Sequence, residues 1–450
     1  MSESQQLDPN NKPGEPSRRE FLLKSALFAA SAGALASCSG PRPLGAVHGA
    51  LPKARASTRQ ALAPNETIKI GVIGPGGMGS GHCEAFTTLA KNGKEKVQVV
   101  ALSDVCKSRM MRARDDIVRV QGGTVDTYSD FYDLLKRDDL HGVLIATPEH
   151  WHGPMAEAAI AAGKDVYVEK PMTLRLPEAL RLYQVAKANP DIRVQVGTQM
   201  IMLPKYRKAK ELVAQGAIGK PTSSQTSYCR NSKDGEWLYY EMRKEWVPGE
   251  NLDWERWCGP LGVQPWDPAV YARWRRYKMY STGIIGDLLV HVMTPMVMAL
   301  DLGWPTRVVA SGGHYVDKAM ENHDQININV EFEGQHTMIV AGSTCNENGL
   351  ETLIRGHKGN LSLGGRHCVV RPEPKYSEEV EERTVECEDI GNDQDMLRLN
   401  WLHAIRTREQ NASPVELGTK VMVIVDLATR SMWDGKAYAF SPASMTALPV

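Results

Sequence analysis

A short β-branched run, residues 67–73, leads without a break into Gly74-Pro75-Gly76-Gly77-Met78-Gly79. No other stretch constrains the fold of this chain as strongly. A G-x-G-x-x-G turn says little alone, but here a buried-strand pattern precedes it. Residues 80–92 after it, with Ala85, Phe86 and Leu89, suit a helix. Glycines are required where a tight turn brings main chain against a pyrophosphate and leaves no room for a β-carbon. The N–H groups of the following helix then face the phosphates. Gly74, Gly76, Gly77, Met78 and Gly79 are therefore expected to contact a dinucleotide.

A second strand, residues 97–102, ends at Ser103-Asp104. An acidic residue there accepts the ribose hydroxyls and repels a 2′-phosphate, which favours NAD. Lys107 and Arg109 stand close enough to keep NADP open, and Asp104 has a second reading as a cap for a helix over 105–118. Strands over 141–146, 165–168 and 193–196 then alternate with helices over 154–162 and 176–188. Repeated β-α units of this length predict an α/β fold with a doubly wound parallel sheet, its ligands at the carboxyl ends of the strands. That points to the loops 74–79, 147–152 and 169–171. A Rossmann domain over 66–198 and an α/β substrate and oligomerisation domain over 199–450 follow.

Lys+Arg and Asp+Glu both number 53, so no global charge attracts nucleic acid or an anionic membrane. None of the eight cysteines forms a C-x-x-C pair, and no metal site is expected; those beyond Cys38 read as buried, reduced thiols. The first 38 residues read as an address. Ser17-Arg18-Arg19-Glu20-Phe21-Leu22-Leu23 and the modest apolar run behind it have the form of a twin-arginine export signal. Leu35-Ala36-Ser37-Cys38 has the form of a lipobox, or of an ordinary cleavage site containing a cysteine. Residues 39–65 read as a tether. The expectation is a periplasmic or envelope-anchored protein that meets the membrane only through a lipid on Cys38.

The loops also resemble those of the Gfo/Idh/MocA oxidoreductases, the glucose–fructose oxidoreductase and inositol dehydrogenase group. The matching pieces are the glycine turn, Ala146-Thr147-Pro148-Glu149-His150-Trp151-His152, the Gly163-Lys164 to Glu169-Lys170-Pro171 block and Gly197-Thr198-Gln199. The resemblance spans roughly residues 66 to 440. It implies that Lys170 lies beside the nicotinamide and the substrate hydroxyl, with a cis peptide possible before Pro171. It also implies that Asp-x-x-x-His, here Asp287 and His291, supplies the second catalytic element. A dehydrogenase needs a group to take the hydroxyl proton as hydride leaves carbon, and imidazole suits that work. The expected roles are His291 as general base, Lys170 as its electrostatic partner and Asp287 as orienter of substrate or base. Thr147, Pro148, His152, Glu169 and Gln199 are expected around the cofactor, NAD with NADP open, which could be tightly bound.

The second half carries strand-like alternation over 222–228, 325–332 and 337–342. The resemblance implies a large, mostly antiparallel sheet whose open face joins a homodimer or homotetramer. Residues 237–280 are dense in aromatics and arginines, including Trp246, Trp254, Trp257, Tyr271, Arg275 and Tyr277. Such a segment could bind carbohydrate rings and their oxygens, with His152, Arg275 and Tyr277 as substrate contacts. It could equally be a packed structural loop or an oligomer contact. The leading expectation is hydride transfer at a secondary hydroxyl of a sugar, polyol or sugar derivative. The alternative is an NAD-dependent glycosidase that oxidises transiently, eliminates and re-reduces with the cofactor retained. A non-catalytic sugar-binding protein is disfavoured by the presence of Gly74, Gly76, Gly79, Lys170, Asp287 and His291 together.

Overall fold

The computed structural model describes residues 60–450. The expected signal, Cys38 and nearly all of the expected tether lie outside the described residues. Two sheets organise the rest. β1 (Ile68–Ile73), β2 (Val97–Ser103), β3 (Asp126–Tyr128), β4 (Gly142–Ile145), β5 (Asp165–Val168) and β6 (Val194–Val196) form the first. Their order is β3-β2-β1-β4-β5-β6, with every neighbouring pair parallel. The order reverses between β1 and β4, where such sheets open a ligand crevice. The glycine turn leaves β1 on one side of that point and the Thr147 loop leaves β4 on the other.

The second sheet has ten strands: β7 (Pro221–Cys229), β8 (Pro305–Gly313), β9 (Gln325–Phe332), β10 (His336–Ser343), β11 (Leu353–Gly356), β12 (Gly359–Ser362), β13 (His367–Pro372), β14 (Arg383–Glu386), β15 (Tyr438–Ser441) and β16 (Thr446–Pro449). Only β7 and β10 pair in parallel. In β9, Ile326, Ile328, Val330 and Phe332 face the core while Asn327, Asn329 and Glu331 face outward, the period of two that a half-covered sheet requires. The helices Val290–Leu300 and Val415–Asp434 join the same apolar core as the sheet's inner face.

Three features depart from the sequence reading. The helix expected over 154–162 runs from Glu149 to Ala161, with Pro154 inside it. The helix Asp393–Thr407, counted with the second domain, returns to the first sheet. There Trp401 packs edge-on to Tyr167 and against Phe86, and Leu397, Leu402 and Ile405 join the core of β1 and β2. The stretch bearing Asp287 is a π-helix, Ile285–Leu289, that continues as an α-helix from Val290. Its start depends on glycine: a β-carbon on Gly286 would stand 1.9 Å from Thr282 Oγ1. The seven cysteines among the described residues are free thiols, four buried and three half-buried. No described helix is long and apolar enough to cross a membrane.

Candidate active site

The glycine turn has the geometry of a phosphate cradle. Gly74 has φ +81°, and a β-carbon on it would meet Thr147 N at 2.9 Å. One on Gly79 would fall 2.2 Å from Gly74 O, so the helix Gly77–Lys91 can start this close to β1 only with glycine there. Around Gly77 nothing stands within 4 Å, and Met78 beside it is exposed. No side chain caps this helix, which leaves its N-terminal end for an anion. Asp104 follows β2 as expected. Its Oδ1 accepts from Cys106 N at 2.7 Å, and burial raises its carboxyl to about 6. The turn fits a dinucleotide's phosphates, and the bond Asp104 makes is a local one that closes the turn after β2.

The two halves meet at Lys170. The strand β5 ends at Val168, and the cis Lys170–Pro171 peptide follows. Lys170 Nζ donates to Asp287 Oδ1 and to Asp287 O, both at 2.9 Å. Arg275 Nε donates to the same Oδ1 at 2.8 Å. Burial would raise the Asp287 carboxyl, but the charges of Lys170 and Arg275 outweigh it and hold it well below the usual carboxylate range. Asp287 is thus a fixed anion that positions the lysine and arginine. The expected orienter of the base makes its hydrogen bonds to these two cations. His291, in the next turn, is buried, and burial followed by the Lys170 charge lowers its imidazole to about 3. It is a neutral ring at physiological pH, with Nδ1 unpartnered and the Tyr228 ring 6.0 Å away.

Other expected ligands are engaged within the protein. Glu169 is buried: Oε1 accepts from His82 at 2.8 Å and Oε2 from Lys170 N at 3.1 Å. Burial pushes its carboxyl up, and the His82 bond with the Lys170 charge brings it down to about 2. Arg398 donates to the other nitrogen of His82 at 2.9 Å, which sets the tautomer that donates to Glu169. Glu169, expected around the cofactor, thus ends a buried Arg398–His82–Glu169 chain behind Lys170. His152, expected at the cofactor or substrate, also has partners within the protein. Its nitrogens lie 2.6 Å from Pro171 O and 2.8 Å from Thr147 O, so it braces two cleft loops against each other.

Thr147 stays at the cleft against Gly74, Pro148 caps the helix behind it, and Gln199 is half-buried at the start of a short 3-10 turn. Of the residues expected to contact substrate, Arg275 reaches the centre. Tyr277 packs on the aromatic cluster of Trp254, Trp257 and Tyr271 instead. That cluster packs part of segment 237–280 as a strap: Trp246, Trp254 and Trp257 are all at most 6% exposed, while Trp237, equally buried, joins the main core.

Sequence reasoning missed Glu149. It is fully buried and accepts from Ser281 Oγ at 2.6 Å and Thr282 N at 3.1 Å, and burial raises its carboxyl to about 7. Its place in a helix's first turn reads, in sequence, as an ordinary complement to the helix dipole. Also missed were Arg230 and Glu236, paired at 2.9 Å near Tyr228 and His291.

A parallel sheet with a glycine cradle at its switch point and a lysine at a strand end defines an NAD-binding oxidoreductase fold. Comparison with known proteins agrees. Residues 68–198 match the oxidoreductase family model for the NAD-binding Rossmann fold, and residues 261–440 match its C-terminal α/β domain. The chain belongs to the Gfo/Idh/MocA oxidoreductase family.

Among curated relatives it is 29% identical over 241 residues to a glycosyl hydrolase family 109 protein of Shewanella baltica, covering 50% of each chain. It is 29% identical over 160 residues to inositol 2-dehydrogenase/D-chiro-inositol 3-dehydrogenase of Lactiplantibacillus plantarum, covering 36% of this chain and 43% of that one. The match thus spans half or less of these relatives. In fold it is similar to levoglucosan dehydrogenase solved with NADH and levoglucosan, at TM-score 0.61 and 19% identity over 86% of this chain and all of that one. An oxidoreductase domain protein from Kribbella flavida gives TM-score 0.64 at 20% identity, covering 82% and 98%.

Proposed function

We propose that the chain is an NAD(P)-dependent oxidoreductase acting at a secondary hydroxyl of a sugar, polyol or sugar derivative. One observation carries the reading: Lys170 from the end of β5 and Asp287 from the second domain meet at 2.9 Å, one turn from the neutral, buried His291. A bound nicotinamide dinucleotide would supply the hydride acceptor. The Lys170 ammonium, fixed by Asp287, polarises the substrate oxygen and stabilises charge developing on it. The His291 ring accepts the hydroxyl proton on its lone pair. Arg275 holds Asp287 from the substrate side and offers its outer nitrogens to substrate oxygens.

A second reading is glycosidase chemistry by transient oxidation, favoured by the similarity to glycosyl hydrolase family 109 proteins. The test is to load the protein with NAD and follow reduced-nicotinamide absorbance over a panel of sugars, polyols and nitrophenyl glycosides. Oxidation of a free sugar supports the first reading. Nitrophenol release without net reduction supports the second, and neither signal with any substrate removes both. We also propose export through the Arg18-Arg19 signal, lipidation at Cys38 and assembly through the open face of the second sheet. Envelope fractionation of the full-length protein and light scattering test these.

A further inference from the structure

Arg275 reaches the centre from the short 3-10 turn Trp274–Arg276. Its Nε and the Lys170 Nζ converge on one atom, Asp287 Oδ1, at 2.8 and 2.9 Å. The guanidinium lies 4.2 Å from the Trp274 ring centre and 5.7 Å from that of Tyr240. Asn322 Nδ2 donates to Arg275 O at 3.0 Å and fixes the main chain behind it. One edge of the guanidinium is thus anchored and the group rests on an aromatic shelf. Its two terminal nitrogens have no hydrogen-bond partner among the described residues, and the side chain is 20% exposed.

The charges at this centre do not balance. Two cations, Lys170 and Arg275, share one anion, Asp287. The neighbouring carboxyls are engaged elsewhere. Glu149 accepts from Ser281 and Thr282, and burial raises it to about 7. Glu169 accepts from His82 and from the Lys170 main chain. Glu236 pairs with Arg230 at 2.9 Å. A guanidinium held by Nε with both terminal nitrogens open is a fork for the two oxygens of a carboxylate. One surplus positive charge calls for a single negative one, where a phosphate ester would bring nearly two.

We propose that the substrate is an acidic sugar, a uronate or aldonate, whose carboxylate is bound by the terminal nitrogens of Arg275 while Lys170 holds the hydroxyl to be oxidised. This rests on the reading that the site is a sugar or polyol oxidoreductase, and it names the substrate class within that reading. The two cations stand within two hydrogen-bond lengths of each other through Asp287 Oδ1, so hydroxyl and carboxylate belong to one small molecule. A neutral sugar at the same place leaves the fork without an acceptor, which sets acidic and neutral substrates apart.

The test uses the full protein and pairs that differ in the carboxylate: glucuronate against glucose, galacturonate against galactose, gluconate against glucitol, with glucose 6-phosphate alongside. Binding is measured calorimetrically on protein loaded with NADH, and turnover by NADH formation on protein loaded with NAD. At least one acid should bind and turn over roughly 10- to 100-fold better than its neutral partner. In Arg275→Gln that advantage should shrink to within about threefold, with melting curves to check folding. Where that variant does not fold, glucuronamide and galacturonamide on the wild type remove the charge from the ligand instead and should lose the same advantage. Equal or better handling of the neutral partners, an advantage that survives both changes, or a preference for the phosphate ester overturns the proposal, as does binding of none of these compounds to NADH-loaded protein. Oxidation of a neutral sugar in those cases leaves the proposed function standing, whereas a protein that binds no NADH removes both.

Discussion

Asp287→Asn probes the centre of the site directly. One carboxylate oxygen serves two cations, Lys170 at 2.9 Å and Arg275 at 2.8 Å, and the three side chains are 8%, 9% and 20% exposed. An amide keeps the shape and removes the anion, leaving two buried cations facing each other. Breaking a buried pair from one side costs about 3–5 kcal/mol. Arg275→Gln leaves Asp287 and Lys170 as a balanced pair, so its cost is about 1–2 kcal/mol. In the double variant the remaining cation no longer faces a second one. The double loss should therefore fall short of the sum of the single losses by about 1–3 kcal/mol. Urea unfolding of the four proteins at neutral pH gives the cycle, provided the transition is two-state. Turnover of Asp287→Asn should fall steeply even where it stays folded, since Lys170 then keeps the main-chain oxygen of residue 287 but loses the anion that fixes its charge. Losses that add within about 0.5 kcal/mol, or an Asp287→Asn cost below about 1 kcal/mol, would refute the shared-anion reading.

Lys170→Met should cut turnover roughly 100- to 1,000-fold while NADH affinity stays within about threefold, as kinetics paired with calorimetry would show. Glu149 is raised by burial from 4.5 to about 7, so the native state holds a proton there that the unfolded chain has lost. The sign is destabilising: the cost is absent below pH 4.5, grows as pH rises, and is complete above about 7 at roughly 3 kcal/mol. Glu149→Gln should remove that slope from a plot of unfolding free energy against pH; an unchanged slope places the proton elsewhere. Gly79→Ala puts a β-carbon 2.2 Å from Gly74 O and should abolish NADH binding, with a lowered melting temperature; retained affinity would show that the turn can shift.

How much of this was legible depends on the range of the forces involved. Helix Leu176–Ala188, β5 and β9 fall at the limits their patterns predict, because period and breakers are local. The three-residue β3 and the five-residue helix Phe131–Leu135 are too short to show a period. The return of helix Asp393–Thr407 to the first sheet was invisible for a different reason. Its apolar stripe announces a buried face, but nothing local says which sheet covers it. The Arg398–His82 bond spans 316 residues, and neither residue carries a sign of the other. The strap was ambiguous because aromatics with arginines satisfy both a sugar site and a packed cluster. Burial of Trp246, Trp254 and Trp257 shows that this part of it is packing, while Arg275 alone among its arginines reaches Asp287.

The loop after β4 shows why a motif's position outruns its residues' roles. The carboxyl end of a central strand does place Thr147 at the cleft. From Glu149 onward, however, the chain is helical, and successive side chains turn about 100° apart. Glu149, His150, Trp151 and His152 therefore point around almost the whole circle and cannot all face one ligand. The structure distributes them accordingly. Glu149 turns to Ser281, and His150 and Trp151 both reach the main-chain oxygen of Trp257. His152 turns to Thr147 and Pro171. Three of the four thus tie the second domain to the first, and the fourth ties the two cleft loops together. Side chains that resemble a binding loop thus also brace the two halves between which Lys170 meets Asp287.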